Sequence, residues 1–262
     1  MNKDLILKLA EELFQAQKTK TPVAPLTERY PAITVEEAYG IQLEFIRLKK
    51  ESGCTEIGKK IGLTSEGIRK QLGVFEPDYS IITSDGLLTN GGVLETDKFI
   101  APRIECEIAF IMGKDFPTGK DPVTPWDVIQ ATAGISAAFE IVDSRIRDWK
   151  IKLPDTVADL ASYGALVLDN RIVPLDGLDL RVLGMCATKN GALVQNGASG
   201  SVMGNPVHAV CWLANKLRGY GIELKAGDVV LSGAFAPVIA VGKGDVVTAV
   251  FDHLGEVSLR VE

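Results

Sequence analysis

The sequence predicts an α+β fold in which a mostly helical N-terminal portion precedes a β-rich body. Apolar residues recur at helical spacing in two stretches of the first 75 residues. From about Pro77 onward, short apolar runs rich in Val and Ile are separated by Gly, Asp and Pro, which favours strands. Helices and strands do not alternate strictly, so a parallel βαβ arrangement is disfavoured. We therefore divide the chain into an N-terminal portion, 1–75, and a β-rich body, 76–262.

Three helices are predicted in the N-terminal portion. In the first, leucines recur at helical spacing between residues 5 and 13. The second begins at Thr34, where Glu37 three residues later completes a capping box. A short third helix is expected at about Thr64 to Leu72.

The body is predicted to consist mainly of strands. The apolar runs that indicate them are 104–112, 134–142, 164–168, 227–233, 237–241 and 245–251. Asn190-Gly191 indicates a hairpin turn between two further strands. Two helices interrupt the strands, at Thr124-Pro125 and at Asn205-Pro206, because each pair is a capping residue followed by Pro at the first helical position.

Composition and charge exclude several functional classes. Hydrophobic residues make up 46% of the chain and charged residues 24%, which is ordinary for a globular protein. The net charge of -6 argues against nucleic acid as a partner, because phosphate binding requires clustered Lys and Arg. No stretch approaches the roughly 18 uncharged apolar residues of a membrane helix. The four cysteines are scattered and the N-terminus lacks a signal-peptide core, so we expect a cytoplasmic protein.

Three glutamates form a candidate metal site. On a strand at 103–111, alternation places Glu105 and Glu107 on one face, where the two carboxylates repel each other. Glu140 interrupts another apolar run, as a paired charge or a metal ligand would. Oxygen ligands favour Mg²⁺ or Mn²⁺, with Ca²⁺ behind. The alternative is a solvent-facing strand, because two glutamates at this spacing are common.

Few histidines are available as acid–base groups. The chain contains only His208 and His253, and neither has a histidine or cysteine at zinc-ligand spacing. Lys60 lies between two glycines and, on a strand, points to the face opposite Lys59. The glycines either leave room for a ligand beside Lys60 or mark a bend. For Lys60, the alternative to a functional role is an ordinary surface lysine. For Asp78, the alternative is an ordinary turn residue.

Several sequence blocks together resemble the 2-oxopent-4-enoate hydratases of the fumarylacetoacetate hydrolase superfamily. The blocks are residues 60–65, 71–74, 77–79, 102–107, 139–146, 149–151, 155–159 and 227–234. They span nearly the whole chain and include the pair of strand glutamates. The resemblance implies a rolled, mixed β-sheet body, a homo-oligomer (pentamer or decamer) and a small 2-oxo acid substrate.

The resemblance also implies an activity and a role for each site residue. The family's cation would lie on Glu105, Glu107 and Glu140 and bind the substrate carboxylate and 2-oxo oxygen. Lys60 would neutralise the enolate or relay a proton, and near the cation its pKa would be lowered. Asp78 would be an acid–base group. Ser162 would hydrogen-bond substrate or water. The implied reaction adds water to 2-hydroxypenta-2,4-dienoate to give 4-hydroxy-2-oxopentanoate, in the meta-cleavage degradation of aromatic compounds.

The resemblance leaves several alternatives. Sister activities are decarboxylation of 2-oxo-3-hexenedioate (4-oxalocrotonate) and hydration of 2-oxohept-4-ene-1,7-dioate, whereas an acylpyruvate hydrolase is disfavoured because an early histidine is missing. A catalytically inactive metal-binding scaffold is the alternative from another class. An aldolase or decarboxylase of the same pathway is a candidate partner enzyme. One departure from the family is Leu160, which stands where the family usually has Asn.

Overall fold

The computed structural model describes residues 1–116 and 122–262, and its elements follow the predicted α+β order. The helices in these ranges are α1 (Lys3–Thr19), α2 (Leu26–Arg29), α3 (Val35–Glu51), α4 (Glu66–Leu72), α5 (Pro125–Ala131), α6 (Leu153–Ala158) and α7 (Pro206–Arg218). The strands are β1 (Glu56–Gly62), β2 (Asp78–Thr83), β3 (Leu87–Thr89), β4 (Val93–Leu94), β5 (Arg103–Met112), β6 (Thr132–Val142), β7 (Tyr163–Leu168), β8 (Gly184–Lys189), β9 (Ala192–Ala198), β10 (Val229–Leu231), β11 (Ile239–Ala240), β12 (Val246–Phe251) and β13 (Gly255–Val261). No helix in the described ranges has the length and apolar character needed to cross a membrane.

The predicted N-terminal helices are confirmed as α1, α3 and α4. Helix α3 begins with the predicted capping box, in which the Glu37 backbone N–H donates to the Thr34 hydroxyl and the Thr34 N–H donates to the Glu37 carboxylate. This reciprocal pair satisfies two donors that a helix N-terminus otherwise leaves free. Helix α1 packs against α3, and α3 packs against α6, so the helices form a layer beside the sheet.

A mixed eight-stranded sheet forms the centre of the molecule. Its strand order is β2-β1-β10-β5-β6-β7-β3, and β11 pairs with the far end of β5. Strand β1 pairs in parallel with β10 and antiparallel with β2. The first 75 residues therefore contribute an interior strand of the main sheet as well as helices. The division at residue 75 stays a prediction, with β1 hydrogen-bonded to strands of the body.

A second, five-stranded sheet has the order β4-β13-β12-β8-β9. Its β8–β9 hairpin turns at the predicted Asn190-Gly191, whose φ angles are 55° and 79°, as a two-residue turn with left-handed conformation at both positions requires. The predicted strands at 104–112, 134–142, 164–168 and 245–251 are confirmed, whereas the 227–233 run is a strand only at 229–231. Buried apolar side chains of the helices and both sheets form one cluster.

Candidate active site

Strand register collects the candidate metal ligands on one face of the main sheet. Glu105 of β5 lies directly opposite Glu140 of β6. Residues that face each other across a ladder point to the same side of the sheet, and so do residues two apart on one strand. Glu107 therefore shares this face with Glu105 and Glu140. The predicted grouping of three glutamates is present in the structure.

The three carboxylates form a compact, mostly buried cluster. Each offers an oxygen, and these oxygens lie within 4.8 Å of one another. Glu107 and Glu140 are 0% exposed, so a solvent-facing strand is the wrong interpretation. Glu107 Oε2 accepts a hydrogen bond from the Gly233 backbone N–H at 2.8 Å. Among the described residues, Glu107 Oε1 and Glu140 Oε2 accept none.

The electrostatics of this cluster fit a hard divalent cation. Burial, together with the neighbouring Glu140 and Glu105, raises the pKa of Glu107 well above its usual range. Burial likewise raises the pKa of Glu140 to about 7, although Lys60 opposes the shift. Buried carboxylates with unpartnered oxygens are costly unless an opposite charge compensates them. An oxygen-only donor set suits Mg²⁺, Mn²⁺ or Ca²⁺ better than zinc.

Lys60 and Asp78 lie on the same face of the sheet as the glutamates. Lys60 pairs with Leu231 of β10, which in turn pairs with Ala109 of β5, two residues from Glu107. Asp78 begins β2 opposite Gly62 of β1, two residues after Lys60. The Lys60 ammonium is 3.1 Å from Glu140 Oε1. Both Lys60 and Asp78 are buried, so the surface-lysine and turn-residue alternatives are wrong.

The glycines beside Lys60 make room for neighbouring parts of the protein. A Cβ at Gly62 would overlap the Asp78 carboxylate, and a Cβ at Gly58 would overlap the Val229 carbonyl of β10. Gly62 therefore lets the Asp78 carboxylate lie close to the Lys60 ammonium. Close packing against neighbouring protein atoms accounts for a glycine at each of these two positions.

The protein's own groups shift the pKa of Lys60 upwards, whereas the lowering predicted for Lys60 depends on a bound cation and stays a prediction. Burial lowers the pKa of Lys60, but the nearby carboxylates Glu140, Asp78, Glu105 and Glu107 outweigh it and raise the pKa above its usual value. The protein's own groups therefore keep Lys60 as an ammonium ion. Burial raises the pKa of Asp78, and Lys60 partly opposes that shift.

Lys59 confirms the predicted strand register. Its ammonium is 2.7 Å from Asp228 Oδ2 and 2.9 Å from Glu56 Oε1, on the face away from the glutamate cluster. Lys59 is nevertheless buried, with its ammonium between Glu56 of β1 and Asp228, which immediately precedes β10. The two adjacent lysines thus have different partners and different surroundings.

Ser162 lies in an unusual backbone conformation. Leu160, Ala161 and Ser162 have φ angles of 54°, 49° and 58°, so three consecutive residues other than glycine are left-handed; we call residues 160–162 the left-handed turn. Such a conformation costs roughly 1–2 kcal/mol per residue. Leu160 is fully buried in the core, where the family's Asn would place an amide. The Ser162 hydroxyl is 3.1 Å from the Thr156 hydroxyl.

A cavity of about 550 Å³ opens above these groups. Its polar lining includes Lys60, Asp78, Glu105, Thr156 and Ser162. The remaining lining is mainly apolar: Val35, Gly62, Leu63, Gly73, Val74, Val142, Trp149, Ile151, Leu153, Pro154, Ala161 and Val238, with Lys152. A second cavity of about 460 Å³ adjoins it and shares the lining residues Gly62, Leu63, Glu105 and Val238.

Sequence reasoning assigned no role to Thr156 or to the apolar wall. Thr156 lies in the 155–159 block that carried the resemblance, and Trp149 and Ile151 lie in the 149–151 block. The blocks therefore include these residues but indicate no role for them. Trp149 is fixed by a hydrogen bond from its indole N–H to the Ala101 carbonyl at 3.2 Å and by the Arg103 guanidinium, 4.4 Å from its ring centre.

Comparison with known proteins identifies the family. The model of the fumarylacetoacetate (FAA) hydrolase C-terminal domain matches residues 69–262, which include all six predicted site residues except Lys60. The chain belongs to the fumarylacetoacetate hydrolase family. The resemblance inferred from the sequence blocks is confirmed by this match and by similar proteins within the family.

Two relatives in this family are hydratases. The 2-hydroxyhexa-2,4-dienoate hydratase of Comamonas testosteroni is 41% identical over 99% of this chain and 98% of its own length. The 2-hydroxypent-2,4-dienoate hydratase of Pseudomonas putida is 44% identical over 85% of this chain and 100% of its own length. The alignment with each relative includes most of this chain.

A solved structure confirms the fold. The 4-oxalocrotonate decarboxylase of Pseudomonas putida G7, complexed with magnesium and adipate, has a TM-score of 0.96 and 32% sequence identity. The alignment covers 100% of this chain and 99% of that chain. The predicted rolled, mixed-sheet body with N-terminal helices is therefore the fold of this protein.

Proposed function

We propose that this protein is a divalent-metal-dependent hydratase that adds water to 2-hydroxypenta-2,4-dienoate and gives 4-hydroxy-2-oxopentanoate. The observation that carries the proposal is the buried cluster of Glu105, Glu107 and Glu140 beside the Lys60 ammonium, with Glu105 and Lys60 in the lining of a mainly apolar cavity. The identity with two dienoate hydratases over most of the chain supports the same reaction. The pathway role would be the meta-cleavage degradation of aromatic compounds.

Glu105, Glu107 and Glu140 would hold Mg²⁺ or Mn²⁺. The cation would supply Lewis acidity for the carboxylate and 2-oxygen of the substrate. An oxygen-only, anionic donor set is the kind that these ions prefer. The unpartnered oxygens of Glu107 and Glu140 are available for the ion without breaking a hydrogen bond among the described residues.

Lys60 and Asp78 would perform the electrostatic and proton-transfer work. As an ammonium ion, Lys60 stabilises negative charge that develops on the 2-oxygen when the dienol ionises. Ketonisation of the dienol gives a conjugated enone, and water then adds its oxygen to C4 and a proton to C3. Asp78, whose pKa is raised by burial, would exchange these protons. The paired hydroxyls of Ser162 and Thr156 bind substrate or water.

The cavity wall favours a substrate with one carboxylate. Apart from Lys60, the only cationic side chain among the described residues that line the cavity is the exposed Lys152. A second carboxylate that entered against Val74, Trp149 or Ile151 would lose hydration without a buried partner. An uncharged vinyl or short alkyl end fits this wall. The dioate hydratase and the 2-oxo-3-hexenedioate decarboxylase are therefore the less favoured activities.

A product assay tests the proposal. Purified protein with Mg²⁺ or Mn²⁺ is expected to consume the dienoate absorbance and to give 4-hydroxy-2-oxopentanoate by proton NMR. EDTA should abolish turnover, and added Mn²⁺ should restore it. Release of labelled carbon dioxide from 2-oxo-3-hexenedioate, faster than hydration of the dienoate, would reassign the protein to the decarboxylases. Metal binding with no turnover of any of these acids would support the inactive scaffold.

We also propose that the chain forms a cytoplasmic homo-oligomer, a pentamer or a decamer, and that an aldolase or decarboxylase of the same pathway is its partner. The family resemblance supports the oligomer. Light scattering after size-exclusion chromatography tests it, because a monomer or dimer at working concentration would contradict both assembly numbers. Co-purification with the pathway's aldolase or decarboxylase, against an unrelated enzyme as control, tests the partner.

A further inference from the structure

A buried ion pair lies directly behind the left-handed turn, residues 160–162. Arg145 and Asp159 are both 0% exposed, and Arg145 is the largest of the fully buried side chains among the described residues. Neither residue lines either cavity. Asp159 immediately precedes the turn, whereas Arg145 follows the end of β6.

The Arg145 guanidinium binds the backbone on both sides of the turn. One terminal nitrogen, Nη1, donates to the Tyr163 carbonyl at 2.7 Å, and the other, Nη2, donates to the Asp159 carbonyl. These carbonyls belong to the residues just before and just after the turn. The planar guanidinium thus fixes the separation of the turn's two ends with one rigid group.

The Asp159 carboxylate fixes the orientation of that guanidinium. Its Oδ1 accepts from Arg145 Nε, while its Oδ2 accepts from the Arg145 backbone N–H at 2.9 Å and from the Ser144 hydroxyl at 3.1 Å. The carboxylate and the guanidinium therefore hydrogen-bond to each other, and each of them also hydrogen-bonds to backbone groups. A buried pair with these bonds satisfied is rigid, and removing one partner leaves a buried charge unpaired.

The turn needs such support because its conformation is unfavourable for L-residues. Leu160, Ala161 and Ser162 are all left-handed, and none of them is glycine. Within the turn, the Ser162 N–H donates to the Asp159 carbonyl at 2.9 Å, the same carbonyl that Arg145 binds. Strained backbone of this kind persists only where its surroundings determine it.

We propose that Arg145 and Asp159 are positioning residues that hold the left-handed turn, and with it the Ser162 hydroxyl, in the wall of the catalytic cavity. The inference rests on the proposed function in so far as Ser162 contacts substrate or water during hydration. Without the guanidinium, the turn relaxes toward ordinary backbone conformations and Ser162 rotates away from Thr156. A lysine at position 145 keeps the charge but binds only one of the two carbonyls well.

The test compares Arg145→Lys with Lys49→Met, which removes another buried, ion-paired cation outside the lining of both cavities. Lys49 is 2.7 Å from Asp85 and lines neither cavity. We expect Arg145→Lys to lower kcat about 10- to 100-fold, with little change in KM, because small displacements of reacting groups have effects of this size. Amide hydrogen exchange in the segment 159–163 should become faster, and Mn²⁺ affinity should stay that of the wild type. Lys49→Met should lower the melting temperature but leave kcat and this exchange unchanged.

A second substitution separates positioning from general stability. In the double variant Arg145→Lys/Ala161→Gly, glycine adopts the left-handed conformation without strain, so kcat should recover in part. Ser144→Ala removes one hydrogen bond to Asp159 and is mild enough to fold, and it should lower kcat in the same direction by a smaller factor. A fall in kcat no larger than that of Lys49→Met, or a fall without faster exchange at 159–163, would overturn the proposal.

The outcome also distinguishes this inference from the proposed function. If the wild-type protein hydrates no dienoate, the proposed function fails. The exchange rates of the 159–163 segment in wild type, Arg145→Lys and Lys49→Met then decide whether the ion pair holds the turn. If the wild type is active and exchange in Arg145→Lys is unchanged, the positioning role fails and the function stands.

Discussion

Glu105 and Glu140 lie directly opposite each other on β5 and β6, so two carboxylates occupy a cross-strand pair that would repel in the absence of a cation. With Glu107 on the same face, the three side chains form one cluster of negative charge, which the Lys60 ammonium offsets only in part. This relationship underlies the first two predictions.

Glu107→Gln should weaken binding of Mn²⁺ by at least about 10-fold, because replacing a directly ligating carboxylate with a neutral amide has a larger effect than an outer-shell change. The amide keeps the size of the side chain but removes its charge. In the wild type, Mn²⁺ should raise the melting temperature, because a ligand that binds only the folded protein stabilises it by about 2.7 kcal/mol at 100 times its Kd. Calorimetric titration and thermal unfolding measure both effects. Full Mn²⁺ affinity and turnover in Glu107→Gln would contradict the metal assignment.

Lys60→Ala should lower turnover at least about 100-fold while metal still binds, by the usual contribution of a group that stabilises charge or transfers protons. Removal of an ammonium beside the carboxylates should leave Mn²⁺ affinity equal or higher, because like charges no longer oppose each other. Steady-state kinetics and Mn²⁺ titration measure the two quantities.

Lys59→Ala is the matched control for Lys60→Ala. It should keep turnover near the wild-type value when assayed below its melting temperature. Its stability should fall, however, because Asp228 and Glu56 lose their buried partner. Equal losses of turnover in the two variants would contradict the role of Lys60.

Gly62→Ala should lower kcat, because the added methyl group displaces the Asp78 carboxylate from its position beside Lys60. A displacement of about 1 Å is enough for a loss on the order of 100-fold. Gly67→Ala is the control, since this glycine is in helix α4 and its Cβ would meet nothing closer than 3.8 Å. There alanine should stabilise by roughly 0.5–1 kcal/mol. Kinetics and urea unfolding of both proteins check the contrast, and a Gly62→Ala enzyme with normal kcat contradicts it.

Ala161→Gly should leave the free energy of unfolding unchanged or raise it. Glycine in regular structure is usually less stable than alanine by roughly 0.5–1 kcal/mol, but at a left-handed position it also relieves roughly 1–2 kcal/mol of strain. Ala158→Gly, in helix α6, should show only the loss. Urea unfolding of the two variants measures the difference, and a similar loss in both would mean that the left-handed turn carries no strain at Ala161.

Ile151→Arg should shift substrate preference toward a 2-oxo dioate. The new guanidinium would give a second carboxylate a partner in a wall that is otherwise mainly apolar. We expect the ratio of kcat/KM for 2-oxohept-4-ene-1,7-dioate to that for the pentadienoate to rise at least about 10-fold, since a single charged contact contributes roughly 1.5–3 kcal/mol. Ile151→Met controls for the change in shape and should keep the wild-type ratio. If Ile151→Met shifts the ratio as much as Ile151→Arg, the distal end of the substrate does not meet this wall.

Much of the fold and the metal cluster followed from local sequence patterns. The capping box at Thr34 and the turn at Asn190-Gly191 are local, so the chain itself determines them. Alternation placed Glu105 and Glu107 on one face, and Lys60 opposite to Lys59, because a strand has a period of two. Each of these inferences needs only neighbours within a few residues.

The remaining features depend on contacts between distant segments. The burial of Lys59 follows from Asp228, far along the chain, and no local pattern indicates that partner. The raised pKa of Lys60 follows from four carboxylates on other strands. The left-handed turn was not predicted because Leu160 and Ala161 have no local preference for that conformation, and Arg145, the side chain that spans its ends, comes from another element.

The parallel pairing of β1 with β10 also bears on how the enzyme is made. Lys60 lies beside Leu231, so the floor of the cavity is incomplete until β10 has been synthesised. A nascent chain whose β5 and β6 have emerged from the ribosome already carries the three glutamates. It still lacks β10, the strand that joins β1 to them. Closing so long a loop before its contacts form is slow, and fold topologies rich in such distant pairings fold slowly as a class. Assembly of the reactive centre therefore waits until β10 has joined β1 to β5 and the rest of the main sheet.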